Sequence, residues 1–369
     1  MGCPVEATLI CSDVVSGRQG LYRAFREIER IDHLVGPNED QSEIEKINRH
    51  AGGSPVRVSP ETLALLERAT QYTRRFGGLF DVSIGPLMHL WGFNDEETES
   101  VHQVPERAKV DSLRRLIGAN RLVLSRADTT AFLPEPGMRI DLGGIAKGYA
   151  VDQAVTVLRA QGFSDFLINA GGDVYVSGRN QDGTSWRVGI RHPRRKEDLI
   201  ATLECTDGAV ATSGDYERFF EIDGTRYHHI IDPRTGYPAT ASRSATVLAR
   251  TAEEADALAT ALFIRGAGDQ SADPSGDLPG GPSGDQLRDQ SGDPPGVPSE
   301  ELSGGQSGDP PGGQSGGQPG DQSRDPSGDG SGDDEIGPTR IERYILVDAQ
   351  GTVTCDSVLF RSHHLKILD

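Results

Sequence analysis

The chain has 369 residues, a formal charge of −19 and 35% hydrophobic residues, and neither the charge nor the apolar content is evenly spread. The tract from Gly268 to Pro338 contains 12 Asp, 3 Glu and 2 Arg and so carries −13 of the total, leaving about −6 for the rest, an ordinary balance for an enzyme and the opposite of the basic stripe a nucleic-acid surface needs. Cys3, Cys11, Cys205 and Cys355 have no ligand spacing and are too few for a disulfide framework. No run of 18 apolar residues predicts a membrane span, and the first residues lack a secretory signal. The expected location is therefore the cytoplasm as written, or a membrane-associated or exported one if the true start lies upstream.

In chain order, Val5 to Ser12 predicts a strand. Arg18 to Val35 predicts a helix with Leu21, Phe25, Ile28, Ile31 and Leu34 inward, spaced by threes and fours. A second helix starts near Ser42. Ser59-Pro60 supplies an N-cap and a first-turn proline for a third, which runs to about Phe76 and stops at Gly77-Gly78. The glycine-punctuated stretch from Phe80 to Leu87 leads into Trp91-Gly92-Phe93, two aromatics that suit either stacking on a planar ring or core packing. Asn94 to Pro105 reads as a polar loop.

Ala146 to Gln161 predicts a helix, and Phe166 to Asn169 a buried strand broken by Gly171-Gly172. Short runs at Val174–Ser177, Trp186–Ile190, Ala201–Cys205, Ala209–Thr212, Tyr227–Ile231 and Ala245–Leu248 suit antiparallel sheet. Thr251 with Glu254 forms a capping box for a helix to about Arg265. Tyr344–Val347 and Thr352–Cys355 resume as a strand hairpin. Helices early and strands late indicate an α+β fold, one domain of residues 1–267 plus 339–369. The repetitive Ser-Gly-Asp and Asp-Pro-Pro-Gly tract, 268–338, has no aromatic residue and is expected to be a disordered insertion.

Three segments carry chemistry. Asp141-Leu142-Gly143-Gly144-Ile145-Ala146-Lys147 joins a carboxylate, a glycine pair and a lysine at the mouth of a helix, where backbone N–H groups and a point charge can hold a pyrophosphate; a tight turn with a surface lysine explains the same residues. Asp256 and Thr260, four apart, share a helix face and offer hard oxygens to Mg²⁺ or Ca²⁺, or stand as a solvated Asp and a Thr bonded to its own helix. His228 and His229 alternate along a strand, so one of them can point into a given cleft, at the entry to the stiff turn Asp232-Pro233-Arg234-Thr235-Gly236. Thr212 to Tyr216 is a polar strand-end turn fit to contact substrate or simply to turn.

The strings DLGGIAKGYAVD, INAGGDVYVSG, ATSGDYERFF, HHIIDPRTGYP and EEADALATALF, in this order, resemble the ApbE family of FAD:protein FMN transferases. The resemblance runs from Met1 to about Gly266 and resumes near Arg340. It implies an enzyme that takes FAD as substrate, uses Mg²⁺ on its pyrophosphate and moves FMN to a Ser or Thr hydroxyl of an acceptor protein, such as a membrane redox subunit or a flavin reductase, with AMP leaving. By position, Asp141 and Lys147 would contact FAD, with Met1, Trp91, Gly92, Phe93 and the Ile230 backbone lining its site. The Gly144 carbonyl, Asp256 and Thr260 would hold the metal. His229 would deprotonate the acceptor hydroxyl, and Lys147 would stabilise the charge that develops. The chain departs from the family at Gly36-Pro37-Asn38, where relatives commonly carry an aromatic. A Mg²⁺-dependent FAD pyrophosphatase and a non-catalytic FAD-binding interaction protein are the competing expectations.

Overall fold

The computed structural model describes residues 2–36, 41–93, 103–267, 343–355 and 366–368. After strand β1 (Val5–Leu9), Asp13 caps helix α1 (Val14–Val35), its carboxylate accepting from the Val15 and Ser16 N–H groups. The helix therefore begins four residues before the expected Arg18. Its buried stripe is Gly17, Gly20, Ala24, Ile28, Ile31 and Val35, and Phe25 is exposed. Ile28 and Ile31 are inward as expected, but in the first half of the helix small residues take that place: a methyl group on Gly20 would fall 2.4 Å from the Phe163 ring.

Ser42 caps α2 (Glu43–Arg49) at the Glu45 N–H. Strand β2 (Val56–Arg57) precedes α3 (Pro60–Arg75), which Ser59 caps at the Thr62 N–H. Within the glycine-punctuated stretch lies an unexpected short helix, α4 (Gly85–Trp91), closed by Gly92 at a left-handed φ of 74°. Helix α5 (Arg107–Arg114) and strands β3 (Val123–Ser125) and β4 (Thr130–Phe132) follow, the strands forming a small sheet in the order β2-β4-β3.

The remaining elements build the core: α6 (Ala146–Ala160), β5 (Phe166–Ala170), β6 (Asp173–Ser177), β7 (Trp186–Arg191), β8 (Leu199–Cys205), β9 (Asp207–Gly214), β10 (Phe219–Ile222), β11 (Thr225–His228), β12 (Ser242–Ala249), α7 (Ala252–Arg265), β13 (Tyr344–Asp348), β14 (Val353–Cys355) and β15 (Lys366–Ile367). Seven strands in the order β1-β5-β6-β9-β12-β13-β14 form one sheet whose pairs are all antiparallel. Strand alternation gives it two apolar faces. Ala209 and Ala211 of β9 face the cluster built by α1, α6 and α7; Val210, between them, faces the cluster built by β7 and β8. The fold is thus α+β, a layer of helices and a smaller sheet, β15-β8-β7, on opposite sides of the main sheet. Strand β11 ends at His228, short of the expected Ile231, because Ile231 bridges Pro238 across the following turn instead. The expected insertion, 268–338, and most of the Asn94–Pro105 loop lie outside the described residues. Among the described residues no helix is long and apolar enough to cross a membrane.

Candidate active site

The turn before α6 is held from both sides. The Asp141 N–H donates to the Val82 carbonyl at 2.7 Å, and the Asp141 carboxylate accepts from the Gly143 N–H at 2.8 Å. Gly144 then passes so close to α7 that a methyl group on it would sit 3.2 Å from Thr260 Oγ1 and 3.2 Å from the Phe80 ring. One turn on, Gly148 lets α6 meet the start of α7. A methyl there would fall 2.2 Å from the Ala252 carbonyl oxygen.

That contact carries Lys147 to Asp256. The ammonium lies 3.0 and 3.2 Å from the two Asp256 oxygens, donates to the Gly143 carbonyl at 3.3 Å, and sits 3.2 Å from Asp173 Oδ2 at the start of β6. Burial would depress the Lys147 pKa, yet Asp173 and Asp256 outweigh it and hold the ammonium above its ordinary range. Burial likewise pushes the Asp173 carboxyl well above the usual carboxylate range, helped by Asp256 and opposed by Lys147. Asp173 Oδ2 is within ion-pair distance of Lys147 but makes no hydrogen bond.

The end of α7 that meets α6 is well fixed. Thr251 accepts from the Glu254 N–H at 3.2 Å, and Asp152 of α6 accepts from the Ala252 and Glu253 N–H groups at 2.8 and 2.9 Å. Asp256 is buried, and Thr260 Oγ1 lies 3.2 Å from Ser213 Oγ of β9. Carboxylate, hydroxyl and backbone oxygen make a hard donor set, the kind Mg²⁺ takes alongside substrate phosphate. Among the described residues no group of three or more His, Cys, Asp or Glu is placed to hold a metal. The residues present fit magnesium.

The two histidines separate as strand geometry requires. His228 is buried; its Nε2 donates to the Ala239 carbonyl at 2.8 Å, its Nδ1 accepts from the Ile230 N–H at 3.2 Å, and its ring meets Phe263 edge-on. Both nitrogens are used, so His228 is structural. His229 Nδ1 lies 3.2 Å from the Arg218 carbonyl, which can only accept, and this assigns the proton to Nδ1 and the lone pair to Nε2. Burial, then Arg218 and His228, push the His229 pKa well below 6.5. The imidazole is therefore neutral near pH 7.

Asp141, Gly144, Lys147, His229, Ile230, Asp256 and Thr260 all line one cavity of about 490 Å³. The structure does not bring Trp91, Gly92 and Phe93 to its wall. Trp91 is buried against Tyr227, Phe220 and Tyr237, with Nε1 donating to the Gly236 carbonyl at 2.9 Å. Phe93 stacks on Phe220 and meets the His229 ring edge-on at 6.4 Å. Met1 lies outside the described residues; Gly2 and Cys3 next to it line the cavity. Of the Thr212–Tyr216 turn, Thr212, Ser213 and Gly214 face the cavity, while Asp215 is engaged by Arg194 at 2.6 and 2.7 Å. Asp173 and Arg218 were not singled out by the sequence. The signal for Asp173 was its place just after a glycine pair at the start of a strand, Gly171 and Gly172 both at positive φ.

The ApbE family profile matches residues 1–272. The chain is 35% identical over 243 residues to the FAD:protein FMN transferase of Vibrio cholerae, covering 65% of this chain and 72% of that protein. To the FAD:protein FMN transferase of Treponema pallidum it is 36% identical over 260 residues, 67% of this chain and 71% of that protein. The crystal structure of the ApbE protein from Thermotoga maritima superposes with a TM-score of 0.67 at 33% identity, covering 73% of this chain and 88% of that one.

Proposed function

The chain belongs to the ApbE family, and from that premise we propose that it is an FAD:protein FMN transferase, moving FMN from FAD to a Ser or Thr hydroxyl of an acceptor protein and releasing AMP. One observation carries the reading: the glycine turn with Lys147, the Asp256–Thr260 face of α7 and the His229 ring line a single cavity. A hydroxyl is a poor nucleophile at neutral pH. With Nδ1 tied to the Arg218 carbonyl, Nε2 of His229 is free to take the hydroxyl proton as the acceptor oxygen attacks the FMN phosphorus. The bridging P–O bond breaks and its electrons leave with AMP. Lys147 brings a permanent positive charge to the oxygens on which charge develops. Gly144, Asp256 and Thr260 would hold magnesium, which when bound neutralises pyrophosphate charge.

The test is incubation with FAD, Mg²⁺ and a candidate acceptor, followed by mass analysis for an FMN adduct on Ser or Thr. His229→Ala should still bind FAD but lose roughly 10²- to 10⁴-fold in transfer rate. Unchanged transfer by that variant removes His229 as the base. FMN and AMP released without any adduct would point to hydrolysis by the same groups.

A further inference from the structure

The catalytic cavity does not end at the reacting groups. Pro4, Gly171, Arg191, Thr212 and Glu217 line both it and a second hollow of about 230 Å³, so the two spaces adjoin. On one side of the hollow stand Glu6 of β1, Asn169 of β5 and Val174 of β6; on the other stands β7 from Val188 to Arg191. Strand β7 pairs with β8 along one edge. Among the described residues no backbone group bonds to its other edge.

An open strand edge beside a groove is a row of donors and acceptors repeating every ~3.3 Å, which another extended chain can satisfy. We propose that this groove is the docking track for the acceptor: an extended segment of the acceptor polypeptide adds to the outer edge of β7 and delivers its hydroxyl past Arg191 and Glu217 into the cavity. The inference rests on the transferase reading and adds how the partner is held. Main-chain pairing supplies affinity, and side chains of the segment, alternating in direction, enter the hollow. The four residues Val188 to Arg191 span roughly 13 Å, room for three or four residues of such a segment. The ion pair Arg191–Glu217, 3.2 Å long and half exposed at the shared wall, offers either charge to it. The adenosine half of FAD suits the hollow less well. Tyr216 is the aromatic residue in its lining, and the Arg191 guanidinium lies 5.7 Å over that ring.

Glu6→Trp tests the track, because Glu6 is exposed and strands tolerate aromatics. Thr8→Trp is the control: the same strand and face, two residues on, outside the hollow. Glu6→Trp should raise KM for the acceptor protein by about 10-fold or more, equivalent to some 1.4 kcal/mol, while FAD affinity stays at the wild-type value; Thr8→Trp should change neither. In parallel, adding acceptor to the FAD-free wild-type protein should slow exchange of the outward amides between Arg187 and Arg191. Equal KM for both variants and the wild type, or no slowing of exchange, overturns the proposal. So does a Glu6→Trp variant that loses FAD affinity, which would make the hollow a nucleotide subsite. If the wild-type protein forms no adduct at all, the transferase reading itself has failed and this proposal falls with it.

Discussion

His228 and His229 differ in what their ring nitrogens touch, and that difference decides which can act as a base. His228 spends both nitrogens inside the fold; His229 keeps Nε2. Because burial and the Arg218 charge favour the neutral ring, the His229 pKa lies well below 6.5, and the unprotonated form persists as pH falls through 6.5. The acid limb of log kcat/KM should therefore be centred below pH 6.5. Arg218→Met removes the neighbouring guanidinium while keeping the carbonyl that holds Nδ1, so it should move the limb to higher pH. A limb at or above 6.5 in the wild-type protein, or one that does not move in the variant, contradicts this account. Which residues meet here was partly legible. Spacing marked Asp256 with Thr260, and strand alternation said that one histidine of the pair would face a cleft. Asp173 escaped, because its importance comes from burial against Lys147, a residue 26 positions away on another element. Trp91 and Phe93 had two readings, and local sequence does not distinguish a ring that stacks on a ligand from one that fills the core beside it.

Helices α6 and α7 bring those residues together, and Gly148 sets how closely they approach. Substituting alanine would gain about 1 kcal/mol in helix propensity, but it places a methyl 2.2 Å from the backbone of Ala252, and neither backbone can turn aside as a flexible side chain would. Overpacking of this kind costs roughly 1–3 kcal/mol and forces the elements apart. Gly148→Ala should lower the thermal midpoint by several degrees. It should also weaken Mn²⁺ binding measured by spin resonance without FAD, since Asp256 shifts relative to the Gly144 turn. A midpoint at or above that of the wild type would show that the crossing relaxes freely. Elements with a cap or a sustained period were legible: α3 from Ser59-Pro60, α7 from its capping box. The seven-residue α4 has too few turns to show a period, and its Gly-Pro start reads as a break. In α1 the apolar period located Ile28 and Ile31, but not the first half of the helix, where the close packing of Gly20 on Phe163 turns Phe25 outward.

Across the whole molecule, the sheet closes only when a distant segment returns. Strand β13 pairs with β12 from Val247↔Tyr344 to Ser242↔Asp348 and buries Ile345, Leu346 and Val347; its hairpin with β14 was legible and is present, but the pairing with β12 was not, since it depends on chain ends that sequence spacing does not locate. The ends can be located in the fold. Gly266 lies against Ala241, where a methyl on it would fall 2.7 Å from the Ala241 Cβ, whereas the Arg343 carbonyl accepts from the Leu248 N–H. Those two anchors stand at opposite ends of β12, about 20 Å apart at the strand rise of ~3.3 Å per residue. Residues 268–342 connect them. Replacing all 75 of these residues with twelve Gly/Ser residues leaves a reach of about 40 Å and lowers the closure entropy cost by about 1.5 kcal/mol. The thermal midpoint should rise slightly, with FMN transfer retained. A three-residue connection reaches at most about 14 Å, too little to seat β13 beside β12, and that variant should lose the cooperative thermal transition. If the twelve-residue variant folds but loses transfer, the replaced residues take part in the reaction; if the three-residue variant melts like the wild type, the two anchors are not where the sheet puts them.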